Sequence, residues 1–494
     1  MNIDIELLHR VLTYDRMHPL LFNTGLFMLL FVAFLLVYQA MRRWPVAKML
    51  FVILFSLYFY YKNTAEYCFI LLGVCVSDYV LGGIMAAYPD NKAARKAVVW
   101  ANVTINIGML VYFKYFSLVW NTISNITGAG FDALDIILPV GVSFFTFRSI
   151  SYIVDIYRGE IKPATNFIQY CFYLTFFPPL LAGPVVRAKD MLPQVASNPV
   201  ATRQMVSEGL FLIIAGLIKK VVVADYISGN FVDRIFENPS LYTGFENMMG
   251  AIGFALQLYC DFSGYSDMAI GIALLLGYRF KDNFNAPYKS QSPTEFWKRW
   301  HISLSSWLMD YLYIPLGGNR KGKWRQRANL MTTMLLGGLW HGNTIMYLIW
   351  GGYNGALLVG HKMLKTRGAG LPQRLRHTRI ARTGNILLTF TLVVIGFVFF
   401  RASSLGQVGE MANAIVNNFH PEVIPQFVAG YWAIVLIMAA AFFVHFLPDR
   451  LYKQAMDVYG KIPLLAQAVV LAIVIFIVIQ TRQSSLVPFI YLQY

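Results

Sequence analysis

The sequence predicts an all-α polytopic integral membrane protein with about a dozen membrane segments, including re-entrant or broken helices around a central chamber. Composition comes first: of 494 residues, 57% are hydrophobic and 13% charged. Second, apolar runs of about twenty residues, enough to cross a hydrocarbon core, recur along the chain. Third, the 41 Lys and Arg against 25 Asp and Glu fall mainly in connections between those runs. That placement is the positive-inside pattern, so the net charge of +16 implies a lipid bilayer and no nucleic acid. Cys68, Cys75, Cys171 and Cys260 have neither CxxC nor metal spacing and read as small buried hydrophobes.

Near the start, Ile3, Leu7, Leu8, Val11 and Leu12 share one helical face suited to the membrane interface. The apolar run at 20–41 is too long, and its leader too acidic, for a cleaved signal peptide, so it is expected to be retained. Further spans are expected to about residue 61, at 67–88 around Asp78, and at 98–120. Basic connections (Arg42, Arg43, Lys48; Lys92, Arg95, Lys96) alternate with the Lys- and Arg-free stretch 121–135. This alternation places the N-terminus outside the cytoplasm.

Pro, Gly and Arg interrupt the apolar runs 138–160 and 176–187. Broken or re-entrant helices are expected there, because non-helical backbone at membrane depth survives only inside protein or against a wet cavity. Runs 207–226 and 248–278 follow, the second carrying Asp261 and Asp267. Ser263 and Asp267 share a helical face, as do Asp261 and Tyr265. Two readings stand: a polar cavity lining, or carboxylates satisfied by neighbouring hydroxyls that lock two helices together.

Polarity then rises through Lys298, Arg299, Arg320, Lys321, Lys323, Arg325 and Arg327, and a second basic connection holds Lys362, Lys365, Arg367, Arg374, Arg376, Arg379 and Arg382. Both ends of 329–361 are therefore cytoplasmic, which requires two spans or a re-entrant hairpin. Gly337, Gly338 and Gly342 permit a break beside His341, which would lie deep near the turn. Spans at 386–400, 431–447 and to about 480 complete the chain, separated by the Lys- and Arg-free stretch 402–430 and by basic Arg450, Lys453 and Lys461. The C-terminus emerges on the side of the N-terminus. Without repeat or low-complexity tract, 1–494 reads as a single domain.

Two histidines occur in one context, Arg299-Trp300-His301 and Leu339-Trp340-His341. An ionisable group at membrane depth is a functional-site hypothesis by default. For His341 the alternatives are catalysis or a structural histidine satisfied by a backbone carbonyl. His301 could bind a donor, orient a helix or face headgroups. No clustered Asp, Glu or Cys accompanies them, so no metal is expected. Gly317-Gly318-Asn319-Arg320-Lys321-Gly322 is no phosphate-cradling P-loop, since no GK[ST] follows the glycines. A rival class is a secondary transporter or flippase using Asp78, Asp155, Asp225, Asp261, Asp267 and His341 as a path, although no repeated halves accompany it. A non-catalytic envelope scaffold is a third.

The ordered runs DFSGYSDMAIG, NFNAPY, EFWKRWHISLSSWL, DYLYIPLGGNR and GGLWHG, together with SFFTFRSISYIVDIYRG, FFPPLLAGPVVR, GLIKKVVVADY and PFIYLQY, resemble the membrane-bound O-acyltransferase family. Within it the match is to the branch of alginate and peptidoglycan O-acetyltransferase membrane subunits. The resemblance covers essentially the whole chain. Departures are Met309, where that branch usually has Arg, and Ile345, where it usually has Trp. The resemblance implies acyl transfer, by analogy from acetyl-CoA or another acyl thioester, toward a hydroxyl of an exported polysaccharide, with no permanently bound cofactor. It also implies an inner-membrane location and a separate extracytoplasmic partner that passes the acyl group on; the related D-alanyl branch implies an acyl carrier protein instead. His341 matches the family's catalytic histidine and His301 the second histidine of its motif. Arg320, Lys321, Lys323 and Arg325 could bind coenzyme A phosphates or touch anionic lipid. Tyr494 reads as an interfacial aromatic anchor rather than a relay hydroxyl.

Overall fold

Thr24, Pro45 and Asn91 punctuate the first apolar runs, and helices start where they stand. The Thr24 hydroxyl accepts from the Phe27 N–H at 3.3 Å at the start of α1 (Gly25–Ala40). Pro45 occupies the first turn of α2 (Pro45–Thr64), where its missing N–H costs nothing. Ala65, at φ +53°, ends α2, and one 3-10 turn leads into α3 (Cys68–Ala87). The Asn91 carboxamide accepts from Ala94 N–H at 3.0 Å in the first turn of α4 (Lys92–Thr127). This computed structural model describes residues 9, 11–127, 138–366, 378–481 and 489–490, among which there is no strand. Most of the proposed N-terminal interfacial face, together with Arg367, Arg374, Arg376 and Tyr494, lies outside the described residues.

By length and composition, four helical stretches among the described residues can cross a membrane, or up to six if two bent pairs each count as one span. Those pairs bend by 95° (Pro421–Gly430 with Trp432–Phe446) and 118° (Asp449–Lys461 with Leu464–Gln480). Leu29, Val32, Leu36, Leu54, Phe69 and Val76 are exposed apolar side chains on α1 to α3, as lipid-facing helices require. The chain divides into two compact units, residues 1–213 with 268–280, and 214–267 with 281–494.

In the first unit, Asp78 of α3 is fully buried and saturated. It accepts from Asn102 of α4 at 2.8 Å, from Ser149 at 2.7 Å and from the Tyr170 hydroxyl at 2.5 Å. Ser149 lies on α5 (Val142–Arg158) and Tyr170 on α6 (Phe167–Thr175). Run 138–160 corrects an expectation: it forms no broken helix but the continuous α5, set between Gly141 and Gly159 in left-handed conformations of φ +80° and +76°. The glycines end the helix instead of breaking it. Run 176–187 does leave helical structure and is buried along almost its whole length. A Cβ on Gly141 would stand 2.7 Å from the Leu180 carbonyl oxygen, so glycine is what lets this loop rest on the start of α5.

Helix α7 (Gly244–Leu275) belongs to the second unit as far as Asp267, and this part carries Asp261 and Asp267. A π-helical stretch, Ile218–Asp225, presents two consecutive lysines to them. Lys219 Nζ donates to Asp267 at 2.6 Å; Lys220 Nζ donates to Asp261 at 2.5 Å and pairs with Asp225 at 2.8 Å. Of the two readings, the carboxylates do lock two helical elements together, with lysines as their partners. The second Asp261 oxygen accepts from the Ile490 N–H at 2.8 Å, and the Phe489 ring lies 4.4 Å from the Lys220 ammonium. Residues 489–490 are thereby anchored on the ionic cluster.

Candidate acyl-transfer site

Both sequence-selected histidines lie in the second unit. Segment 329–361 forms the expected hairpin: α10 (Gly322–His341) turns at 342–344 into α11 (Ile345–Thr366). Small residues let the two backbones touch. A Cβ on Gly351 would stand 2.5 Å from the Met334 carbonyl oxygen, and one on Gly338 would collide with that of Tyr347. His341 is the last residue of α10 and 6% exposed. Its ring is walled by Trp340 (4.8 Å between centroids), Trp350 (5.0 Å, 88°) and Phe400 (5.2 Å, 82°). The imidazole is thus packed against three aromatic rings.

His301 links α8 (Pro293–Arg299) to α9 (Ile302–Leu308). The first turn of α8 is set by sequence: Ser292 accepts from the Glu295 N–H at 3.2 Å, Pro293 follows it, and Glu295 receives the Gln291 N–H at 3.0 Å. Between the two helices the backbone adopts the left-handed conformation at His301 (φ 43°, ψ 55°). Asn283 holds it there. Its carbonyl accepts from the Ile302 N–H at 2.8 Å, and its side-chain Oδ1 meets the Ser303 N–H at 3.2 Å, the Ser303 hydroxyl at 2.8 Å and His301 Nδ1 at 3.1 Å. The Phe262 ring stands edge-on at 4.6 Å. Burial pushes the His301 pKa down to about 3, so the ring is neutral at physiological pH.

One run of aromatic contacts joins the two histidines. It passes from His301 through Phe284 (6.4 Å), Trp300 (5.2 Å), Phe296 (5.5 Å), Trp297 (5.7 Å) and Trp350 (5.8 Å) to His341 (5.0 Å). Trp300 and Trp350 belong to one buried hydrophobic cluster that also takes in Phe296, Tyr288 and Ile490.

Arg320, Lys321, Lys323 and Arg325 gather, exposed, around the start of α10. At 1.5 Å rise per residue, Lys323 lies roughly 27 Å along the helix axis from His341, so this group cannot touch a reaction centred there. Trp324 beside it is 82% exposed, with the Arg327 guanidinium 5.5 Å from its ring. Four of the five carboxylates of the transporter reading are engaged within their own units: Asp78 by Asn102, Ser149 and Tyr170, Asp225 and Asp261 by Lys220, and Asp267 by Lys219; the fifth, Asp155, is fully buried on α5.

Sequence reasoning missed four participants. Asn283 stood inside the quoted NFNAPY run, with nothing local to mark it as a partner of His301. Lys219 and Lys220 stood inside the apolar run 207–226, with nothing local to mark them as partners of Asp261 and Asp267. His445, buried on a helix near the C-terminus, accepts the Tyr288 N–H at 3.1 Å and stacks edge-on with Tyr259 at 4.8 Å; a lone histidine in an apolar run gave no signal.

The model of the membrane-bound O-acyltransferase family matches residues 157–400, a stretch that contains Asn283, both histidines and the α10–α11 hairpin. The chain is 40% identical over 405 residues to a probable alginate O-acetylase of Pseudomonas aeruginosa, covering 81% of this chain and 75% of that protein. It is 34% identical over 441 residues to the peptidoglycan O-acetyltransferase of Helicobacter pylori, covering 83% and 82%. With the teichoic acid D-alanyltransferase of Bacillus subtilis it shares 27% over 276 residues, covering 53% and 68%. Apolar spanning helices, two histidines sunk in one aromatic cluster and these likenesses lead to one conclusion: the chain belongs to the membrane-bound O-acyltransferase family and is a multi-pass membrane O-acyltransferase.

Proposed function

We propose that the protein, acting as one domain over 1–494, moves an acetyl group from a cytoplasmic thioester, acetyl-CoA, across the inner membrane toward a hydroxyl of an exported or cell-envelope polysaccharide. A separate extracytoplasmic protein receives the group and passes it to the glycan. The observation that carries this reading is His341: a buried imidazole at a hairpin turn, walled by Trp340, Trp350 and Phe400. A hydroxyl is a poor nucleophile at neutral pH. Neutral imidazole within hydrogen-bond reach takes its proton as the oxygen attacks the thioester carbonyl. The C–O bond forms, the C–S bond breaks, and the thiolate leaves with the proton that the imidazolium returns. His301 supports this centre through the shared aromatic cluster.

The exposed Arg320, Lys321, Lys323, Arg325 and Trp324 fit an interfacial anchor on anionic headgroups; from there, binding coenzyme A phosphates is the second role open to the four cations. A D-alanyl donor on an acyl carrier protein is the second reading of the substrate, supported by the likeness to the B. subtilis transferase. The test is incubation of purified protein with radiolabelled acetyl-CoA or with D-alanyl carrier protein, with and without candidate partners. Label moving from acetyl-CoA into an alkali-labile ester is expected. Transfer from the carrier protein alone would establish the second reading instead.

A further inference from the structure

The contacts of Asn283 settle which nitrogen of His301 carries the proton. The backbone N–H of Ser303 can only donate, and it meets the Asn283 side chain at the atom 3.2 Å away, which must therefore be the amide oxygen. On the other side, the Asn283 amide nitrogen donates to the Ser266 hydroxyl at 3.0 Å, consistent with the same orientation. His301 Nδ1, 3.1 Å from that oxygen, can form a hydrogen bond there only by carrying a proton. In a neutral ring the lone pair then resides on Nε2. Asn283, Ser266 and His301 are each about 1% exposed, so water does not compete for these bonds. The left-handed backbone at His301 is held by the same residue, through the Asn283 carbonyl and the Ile302 N–H at 2.8 Å.

We infer that Asn283 is the positioning residue of His301: its amide oxygen fixes the imidazole as the Nδ1–H tautomer, so that Nε2 is the basic nitrogen this ring brings to acyl transfer. The role of His301 in transfer rests on the function proposed above; the tautomer assignment stands on geometry alone. The arrangement parallels the carboxylate that orients a catalytic histidine, with one chemical difference. An amide oxygen fixes the tautomer without a negative charge that would favour the imidazolium, and the buried ring stays neutral down to about pH 3.

The charged groups on elements packed against His301 are Glu246, Asp261 and Asp267 of α7, Lys281 and Asp282 of the loop that bears Asn283, and Glu295, Lys298 and Arg299 of α8. Asp261 and Asp267 are paired with Lys220 and Lys219, and Arg299 Nε with Glu295 at 2.9 Å. Replacing the amide by a carboxylate therefore introduces a new charge at hydrogen-bond distance from Nδ1.

The full chain in detergent, with nitrogen-15 in its histidines and His301→Gln used for assignment, reports the tautomer directly by NMR. A protonated Nδ1 and bare Nε2 are expected in the wild type, and loss of that preference in Asn283→Leu. Transfer is read as alkali-labile label from radiolabelled acetyl-CoA in membrane vesicles between pH 5 and 8. Wild-type transfer should show no acid limb assignable to His301. Asn283→Asp keeps the acceptor but raises the imidazole pKa, so transfer should show a new acid limb inside that range, falling with pH toward the level of His301→Ala. An Nε2–H tautomer in the wild type, or an Asn283→Asp profile that overlays the wild type although His301→Ala impairs transfer, would overturn the inference. If Asn283→Leu does not fold, Asn283→Asp still decides. Wild-type transfer by His301→Ala, with the tautomer result intact, would instead remove His301 from the reaction and leave the tautomer assignment standing.

Discussion

A buried imidazole beside three aromatic rings can be a base or a packing element, and substitution separates the two. His341→Ala should leave a folded, membrane-inserted protein whose transfer rate falls on the order of 100- to 10,000-fold, the usual loss when a general base is removed. His301→Ala should retain partial activity, because the second histidine does not replace the first. Label transfer at matched protein level in membranes checks both. Near wild-type transfer by His341→Ala would make that histidine structural.

At the scale of elements, the α10–α11 hairpin sets where His341 ends up, and glycine sets the hairpin. Gly338→Ala and Gly351→Ala place a methyl group against the facing backbone, and should destabilise the protein by about 1–3 kcal/mol through overpacking. Gly360→Ala, whose Cβ would meet nothing within 4 Å, should be neutral or mildly stabilising. Thermal melting in detergent reads the difference. Lys220→Met leaves the buried Asp261 and the half-buried Asp225 without this cation and should cost about 3–5 kcal/mol, with loss of the anchor at residues 489–490. This hairpin was legible because Gly337, Gly338 and Gly342 act locally, beside His341 itself. The same local signals misled at α5, where Gly141 and Gly159 close a continuous helix; whether a glycine breaks a helix or ends it depends on what approaches it, and the Leu180 loop comes from forty residues away. Asp261 and Asp267 were visible as costly intramembrane charges, but their partners Lys219 and Lys220 lie some forty residues upstream, in a register shifted by π-helical turns that no periodicity encodes. The contact between Asn283 and His301 was hidden for a similar reason: it depends on a left-handed backbone between two short helices.

For the whole molecule, charge and chemistry carry a direction. Lys and Arg concentrate around Arg325 and Arg376 and vanish from 121–135 and 402–430, so the first two should face the cytoplasm and the latter two the outside. Cysteine labelling at positions 125, 323, 376 and 418, in a chain with its four native cysteines replaced, reads this topology; labelling of position 323 from outside would contradict it. In the proposed reaction a cytoplasmic thioester serves a polysaccharide beyond the membrane, which would require the acyl group to pass the barrier within this chain or beside it. The most direct test is transfer in sealed vesicles of known orientation, with radiolabelled acetyl-CoA confined to one side and acceptor to the other. Label should reach the external acceptor only when donor is on the face carrying Arg325, and only with the extracytoplasmic partner present. Equal transfer with acetyl-CoA confined to the opposite face would contradict the account.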